Sequence, residues 1–247
     1  MHNHETLPLL LKQLQLPCIY ANWKEVSLQA EDKKWEYPTY LATLASYELN
    51  GRQQRRIERH IKESKLPPGK TLDSFDFTNS KSINAAQVTA LANNIDWVKK
   101  ADNLLIFGPS GTGKSHLASA IAYRIIEKGL RALFMPTTLL VQKLQQARRD
   151  YKLGDCLNKL ALFNLLVLDD IGYVKKDEAE TSVLFELIAQ RYEYRSLIIT
   201  SNQSFKEWDQ IFPDNIMAVA AIDRLVHHAT IINITDESFR QRQSNKL

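Results

Sequence analysis

The sequence predicts an α/β fold, a five-stranded parallel sheet covered by helices, with a small helical domain ahead of it. Three observations carry this. Short apolar runs recur at 104–107, 132–135, 165–168, 197–200 and 230–234. They are near-continuous rather than alternating, as strands covered on both faces must be. Helix-length stretches at 114–127, 137–151, 177–194 and 215–228 separate them, so the order reads strand, crossover helix, parallel strand. Pro67, Pro68 and Gly69 then stop whatever helix precedes them, which sets residues 1–65 apart from 66–247.

Within residues 1–65, Leu41, Leu44, Ala45, Leu49, Ile57 and Ile61 fall at helical spacing. Trp23, Trp35 and Tyr37 are the expected core of this small domain. A further amphipathic helix is expected over 84–99. The 247 residues hold ordinary globular proportions of apolar and charged side chains. No apolar run reaches the roughly 18 residues a membrane span needs, and Met1-His2-Asn3-His4-Glu5 has no signal-peptide character. Cys18 and Cys156 are the only cysteines, too few for a disulfide framework or a zinc site, so a cytoplasmic location is expected. Cys156, beside Leu157, is read as buried or half-buried.

Gly108-Pro109-Ser110-Gly111-Thr112-Gly113-Lys114-Ser115 fits G-x-x-x-x-G-K-[ST] in full. The loop follows an apolar strand and opens a helix, the placement the chemistry requires. Its glycines let backbone N–H groups converge on phosphates, and the helix start adds unpaired donors and a favourable dipole. Lys114 supplies a point charge between β- and γ-phosphates, and the Ser115 hydroxyl is a Mg²⁺ ligand. A turn that binds nothing is the bland alternative, and the strand–loop–helix context argues against it.

The run 165–168 ends in Asp169-Asp170. A buried strand exposes charge only at the sheet's carboxyl edge, where open α/β sheets bind ligands. Asp169 is therefore the candidate metal ligand and Asp170 the candidate that polarises water. The run 197–200 likewise ends in Ser201-Asn202, with Asn202 placed to orient water or sense a γ-phosphate, or simply to cap the next helix.

Together with His116-Leu117-Ala118, Asp169-Asp170-Ile171-Gly172, Thr200-Ser201-Asn202 and Asp223-Arg224-Leu225, the phosphate loop resembles the IstB-like transposition helper ATPases. These are relatives of DnaC helicase loaders and DnaA initiators within the AAA+ class of P-loop NTPases. The resemblance covers residues 66–247 well and the N-terminal region more loosely. It implies an ATPase using ATP and Mg²⁺ that forms a homo-oligomer with ATP at subunit interfaces, binds double-stranded DNA and assists a transposase, with no membrane role. It also implies that Arg224 is the arginine finger reaching a neighbouring subunit's γ-phosphate, and that Arg240 is a second arginine near the nucleotide. Many AAA+ proteins carry Glu where Asp170 stands, a departure that argues against fast hydrolysis.

Two basic segments are candidates for DNA. Lys143, Arg148, Arg149 and Lys152 lie in the insertion between the second and third strands, where the resemblance implies DNA-contacting helices. Arg52, Arg55, Arg56 and Arg59 head a second run, which with Lys62, Lys65 and Lys70 outnumbers Glu58 and Glu63 by five, more than the +4 of the whole chain. Such faces neutralise phosphates or are merely solvated, and the second run suits a partner protein equally well. His227 and His228 lack a third ligand nearby and read as packing or surface residues. A DnaC-like helicase loader is the alternative function. A small-molecule kinase is disfavoured, because neither an arginine-rich lid nor a substrate-binding insertion is evident.

Overall fold

The five apolar runs are strands, and they pair as one parallel sheet. They are β1 (Asn103–Phe107), β2 (Ala132–Pro136), β3 (Leu165–Asp169), β4 (Ser196–Ser201) and β5 (Ala229–Asn233), in the spatial order β2-β3-β4-β1-β5. The computed structural model describes residues 6–172, 178–203, 208, 215–236 and 238. By contact, the chain divides into two units, 1–59 and 60–247, with the division inside a helix rather than at Pro67–Pro68.

In the second unit, Leu105, Phe107, Leu133, Met135, Leu166, Leu168, Leu197 and Ile199 point to one face. There they meet α7 (Thr137–Arg149), α8 (Leu153–Ala161), α9 (Glu178–Arg191) and α10 (Asn215–Val226). The alternate residues Leu104, Ile106, Val167 and Ile198 are equally buried. Their face is covered by α6 (Lys114–Glu127), on which α4 (Ala85–Asn93) rests. Each fully buried Leu or Ile contributes about 1.5–3 kcal/mol, so the double cover accounts for the continuous apolar runs. Arg191 is buried at the sheet's amino edge, where its guanidinium donates to the carbonyls of Leu160, Phe163, Asn164 and Ser196. Burial, with Arg195 adding, pushes its pKa down to about 9, which leaves it charged at neutral pH.

Two helical expectations are corrected. The stretch 84–99 is not one helix: α4 ends at Asn93, Asn94 is extended, and α5 (Asp96–Lys99) restarts behind it. The Asn94 side chain accepts from the Asp96 N–H at 2.8 Å, a local bond that competes with helix continuation. The helix expected through Tyr151 stops at Arg149, because Tyr151 takes φ +55° and α8 begins two residues later. Cys156 is buried on α8, as expected.

The first unit is helical: α1 (Leu7–Gln13), α2 (Pro17–Asp32) and α3 (Tyr37–Ser64), the last continuing past the division. Its core is Leu11, Val26 and Leu44 rather than the aromatic trio. Trp23 and Trp35 are only half-buried, and Tyr37 is 90% exposed, as it opens α3 with nothing packed over it. Glu48 is the polar anchor. Its carboxylate accepts from the Cys18 N–H at 2.8 Å and the Ile19 N–H at 3.3 Å, capping the start of α2. Arg52 and Arg55 each donate to it at 3.1 Å.

Burial alone would push the Glu48 pKa up, but the bonds from Arg52, Cys18 and Ile19 outweigh it and hold the carboxyl below its ordinary value. The unfolded chain therefore binds this proton more readily. The stabilisation is complete above the unfolded pKa of about 4.3 and is lost as pH falls through the lower folded value. The protection of the α2 amides against hydrogen exchange, relative to their intrinsic rate at each pH, is expected to fall on acidification across that window. Glu48→Gln should abolish this pH dependence and cost about 1–3 kcal/mol at neutral pH.

Candidate phosphate site

The loop between β1 and α6 sits where the strand order reverses: β1 lies between β4 and β5, while its crossover leads to β2 at the far edge. That reversal opens a crevice at the carboxyl ends of the strands. Gly108 leaves β1 at φ +152°, and a Cβ there would stand 2.4 Å from the Ile234 carbonyl oxygen just after β5. Its N–H donates to the Ser201 carbonyl at 3.2 Å on the other side. The loop is thus tied to both neighbouring strands at its first residue. Gly113 caps α6 at φ +94°, with Phe75 3.1 Å from where its Cβ would be.

Between these glycines the loop folds back on itself. The Thr112 hydroxyl donates to the Pro109 carbonyl at 2.8 Å. Lys114 is buried, and its ammonium donates to the carbonyls of Gly108 at 2.7 Å and Pro109 at 2.8 Å. The cation is thereby held inside the curl of the loop. Pro109, Ser110 and Ser115 stay exposed at its rim.

Thr200 ties the acidic strand end to β4, the strand that separates it from this loop. Its hydroxyl donates to the Asp169 carboxylate at 2.7 Å and accepts from the Asp170 N–H at 2.8 Å. The Asp169 carbonyl accepts from Thr137 at 3.0 Å. Asp170 itself turns into the left-handed region at φ +60°, and Ile171 donates to the Thr200 carbonyl. Asn202 is exposed beyond the end of β4, with its amide oxygen 3.0 Å from where a Gly172 Cβ would be. Gly108, Ser115, Asp169, Asp170 and Asn202 all belong to the carboxyl edge of the sheet.

Arg224 does not. It sits in the last turn of α10, exposed, next to Leu225, whose carbonyl accepts from the Asn103 side chain at 3.1 Å. Asn103 begins β1, so Arg224 is about one strand length, roughly 16 Å, from the loop that ends β1. Arg240 lies outside the described residues.

Sequence reasoning missed the strap over residues 71–83. Phe75 covers Gly113, and the His116 ring meets Phe75 edge-on at 5.1 Å. His116 Nε2 donates to the Thr71 carbonyl at 2.9 Å. Burial, then the charge of Lys70, draws its pKa down against that carbonyl. At the strap's other end the Ser82 N–H and hydroxyl donate to Asp236, beyond β5. The repeated Phe-Asp-Phe at 75–77 was the visible signal.

The basic candidates divide. Arg52 and Arg55 are engaged by Glu48, and Arg148 by Glu186 and Ser182 of α9. Arg56, Arg59, Lys143, Arg149 and Lys152 are exposed and form no ion pair among the described residues. His227 and His228 are exposed, their rings 4.1 Å apart, with Tyr192 3.0 Å from His227.

The pattern of one family, described as IstB-like ATP binding protein, matches residues 9–247. The chain belongs to that family. It is 52% identical to an insertion-sequence ATP-binding protein of Sinorhizobium fredii, over 96% of this chain and 80% of the relative. It is 37% identical to the insertion sequence IS21 ATP-binding protein of Pseudomonas aeruginosa, over 98% and 91% of the two. Among solved structures, the DnaC helicase loader aligns with TM-score 0.60 at 21% identity, over 70% of this chain and 100% of that one. AMPPCP-bound DnaA from Aquifex aeolicus aligns with TM-score 0.57 at 21% identity, over 74% and 56%. At those identities the likeness is one of fold: this IstB-like chain shares its helix-covered parallel sheet with the DnaC and DnaA structures.

Gly108→Ala sets a Cβ against the backbone oxygen of Ile234 in a conformation L-residues avoid. It is expected to cost at least about 2 kcal/mol, a fall of roughly 4–8 °C in thermal midpoint for a unit of this size. Gly154→Ala, with open space around its Cβ, is the matched control and should not fall.

Proposed function

We propose that this IstB-like chain is a DNA-binding ATPase that assembles on double-stranded DNA with ATP between its subunits and assists a transposase in choosing a target. The observation that supports this best is the shared edge. A glycine-curled loop holding Lys114 lies at the same carboxyl edge of the sheet as a strand end whose Asp169 is fixed by Thr200. Insertion-sequence relatives with the same coverage support the transposition setting.

In this reading the loop N–H groups and the start of α6 bind the α- and β-phosphates. Lys114 exchanges its loop carbonyls for the β- and γ-phosphates, with a short reach and little desolvation still to be met. The donors suit magnesium: one carboxylate, Asp169, and one exposed hydroxyl, Ser115, leave places for phosphate oxygens and water. Among the described residues no cluster of three His, Cys, Asp or Glu offers a site to another kind of metal. When bound, magnesium neutralises charge on the transferring phosphoryl group. Asp170, held at φ +60° by its N–H bond to Thr200, accepts a proton from the attacking water, and Asn202 orients that water.

Arg224 acts in trans. At roughly a strand length from its own loop it is out of reach of the phosphate it would serve there, whereas a neighbouring subunit's site is open to an exposed arginine. A guanidinium fork there would match charge spreading over the phosphoryl oxygens. Residues 1–65 are proposed to bind DNA or a partner protein, and 66–247 to form the ATPase domain. DNA binding is assigned to Arg56, Arg59, Lys143, Arg149 and Lys152, with Arg52, Arg55 and Arg148 positioning their own helices. Arg240 remains assigned to the nucleotide by family likeness alone.

Calorimetry with magnesium and ATP should show uptake by the wild-type chain and none by Lys114→Ala. Asp170→Asn should keep binding and slow hydrolysis by about 100-fold or more. Arg224→Ala should lower hydrolysis about 1,000-fold while the monomer's affinity for ATP is unchanged. Sedimentation should show ATP-dependent assemblies on duplex DNA that shrink as salt rises. A wild-type chain that binds no adenine nucleotide sinks the whole reading. Capture of a replicative helicase, with no transposase, would replace the transposition role by a helicase-loading one.

A further inference from the structure

The turn between α7 and α8 carries a tyrosine that the reading above does not use. Tyr151 is 99% exposed and stands between Arg149 and Lys152, both exposed. Its backbone has φ +55°, the position after a helix end that favours glycine or asparagine. The Tyr151 N–H donates to the Arg148 carbonyl at 3.1 Å and the Lys152 N–H to the Ala147 carbonyl at 2.7 Å, so the strained turn is firmly closed. Six other described non-glycine residues share this backbone region: Gln15, Lys34, Lys65, Ala101, Asp170 and Glu193. None is aromatic. A bulky ring has thus been placed in an unfavourable conformation, where it does nothing for its own chain's packing. Such an outlier points to a role outside the fold.

The surroundings say what the ring meets. A protein partner would need a cluster of apolar anchors in a pocket. Here the turn neighbours are Asp150 and Lys152, and Leu153 is drawn into the core. Asp150 is occupied by Gln146 at 3.0 Å. What remains is one exposed ring with an exposed cation two residues before it and another directly after it, the pairing of stack and phosphate contact that suits a nucleic acid strand. We infer that Tyr151 stacks on a nucleobase of bound DNA while Arg149 and Lys152 hold the flanking phosphates. This rests on the DNA binding proposed above and adds a specific base contact to it.

The test uses the full chain with magnesium and ATP, on duplex and single-stranded oligonucleotides carrying 2-aminopurine. Tyr151→Gly removes the ring and relieves the turn, so its thermal midpoint should not fall. Its DNA affinity should drop about tenfold, with the same slope of affinity against salt, because no phosphate contact is lost. Lys152→Gln should instead reduce that slope by about one. Tyr151→Phe should bind as wild type. The 2-aminopurine signal that accompanies wild-type binding should vanish in Tyr151→Gly, and the strand form losing more affinity is the one whose base is stacked. If wild type binds DNA and Tyr151→Gly binds equally, the stacking role is wrong and the DNA reading stands. If wild type binds no DNA, both are overturned.

Discussion

Gly108 is where β1 passes between β5 and β4, with the Ile234 carbonyl 2.4 Å from the Cβ it lacks and the Ser201 carbonyl accepting its N–H. The close approach on the Ile234 side is possible only for a residue without a side chain. From that pinch the loop must turn outward over the carboxyl edge, and its length then returns it to the first turn of α6 at Gly113. The backbone of Lys114 is fixed beside the curl because it begins α6, which is packed on the sheet. The packing that places the start of α6 therefore also places the root of this charged side chain. The Gly108 and Pro109 carbonyls that its ammonium meets are neutral acceptors, weaker partners than phosphate.

The same economy appears at the acidic strand end. Asp169 lies on β3 and the phosphate loop follows β1, with β4 between them. Thr200 is the residue of β4 that spans this gap, paired in register with Ile106 on one side and bonded to Asp169 on the other. A buried hydroxyl near the end of an apolar strand is unfavourable unless both its donor and its acceptor are used, and here both are. The bond to the Asp170 N–H also holds the backbone at φ +60°, so one side chain meets the carboxylate of one acid and the main chain of the next.

The parts legible in the sequence are those whose physics is local. Five double-faced strands must be continuous apolar runs, and a phosphate loop must be a string of glycines before a lysine. Thr200 was quoted only as part of a polar strand tip, because its role depends on β4 lying between β3 and β1, a neighbour relation no spacing records. The break at Asn94 came from a side-chain bond that competes with an otherwise good helical pattern. In the first unit, the apolar period on α3 was real, yet only Leu44 is buried while Leu41 and Leu49 are exposed. Periodicity marks a face but not what covers it. The charge count over 51–70 misjudged Arg52 and Arg55 for a related reason: Glu48 lies just outside that window and takes both.

Arg224 illustrates how a fold can make chemistry conditional. In a parallel sheet every crossover helix runs back from the carboxyl edge to the amino edge, so the last turn of α10 must end near the start of β1, where Asn103 receives it. A residue there is removed from its own phosphate loop by the length of the strand, however the side chain rotates. If Arg224 serves a nucleotide, the nucleotide belongs to another copy, and hydrolysis then depends on two subunits meeting in one orientation. The role proposed for Asp170, whose side chain is one methylene shorter than glutamate, fits that arrangement. An isolated subunit would retain its ATP until assembly supplies the missing positive charge, which couples the lifetime of the nucleotide to the assembly rather than to the single chain.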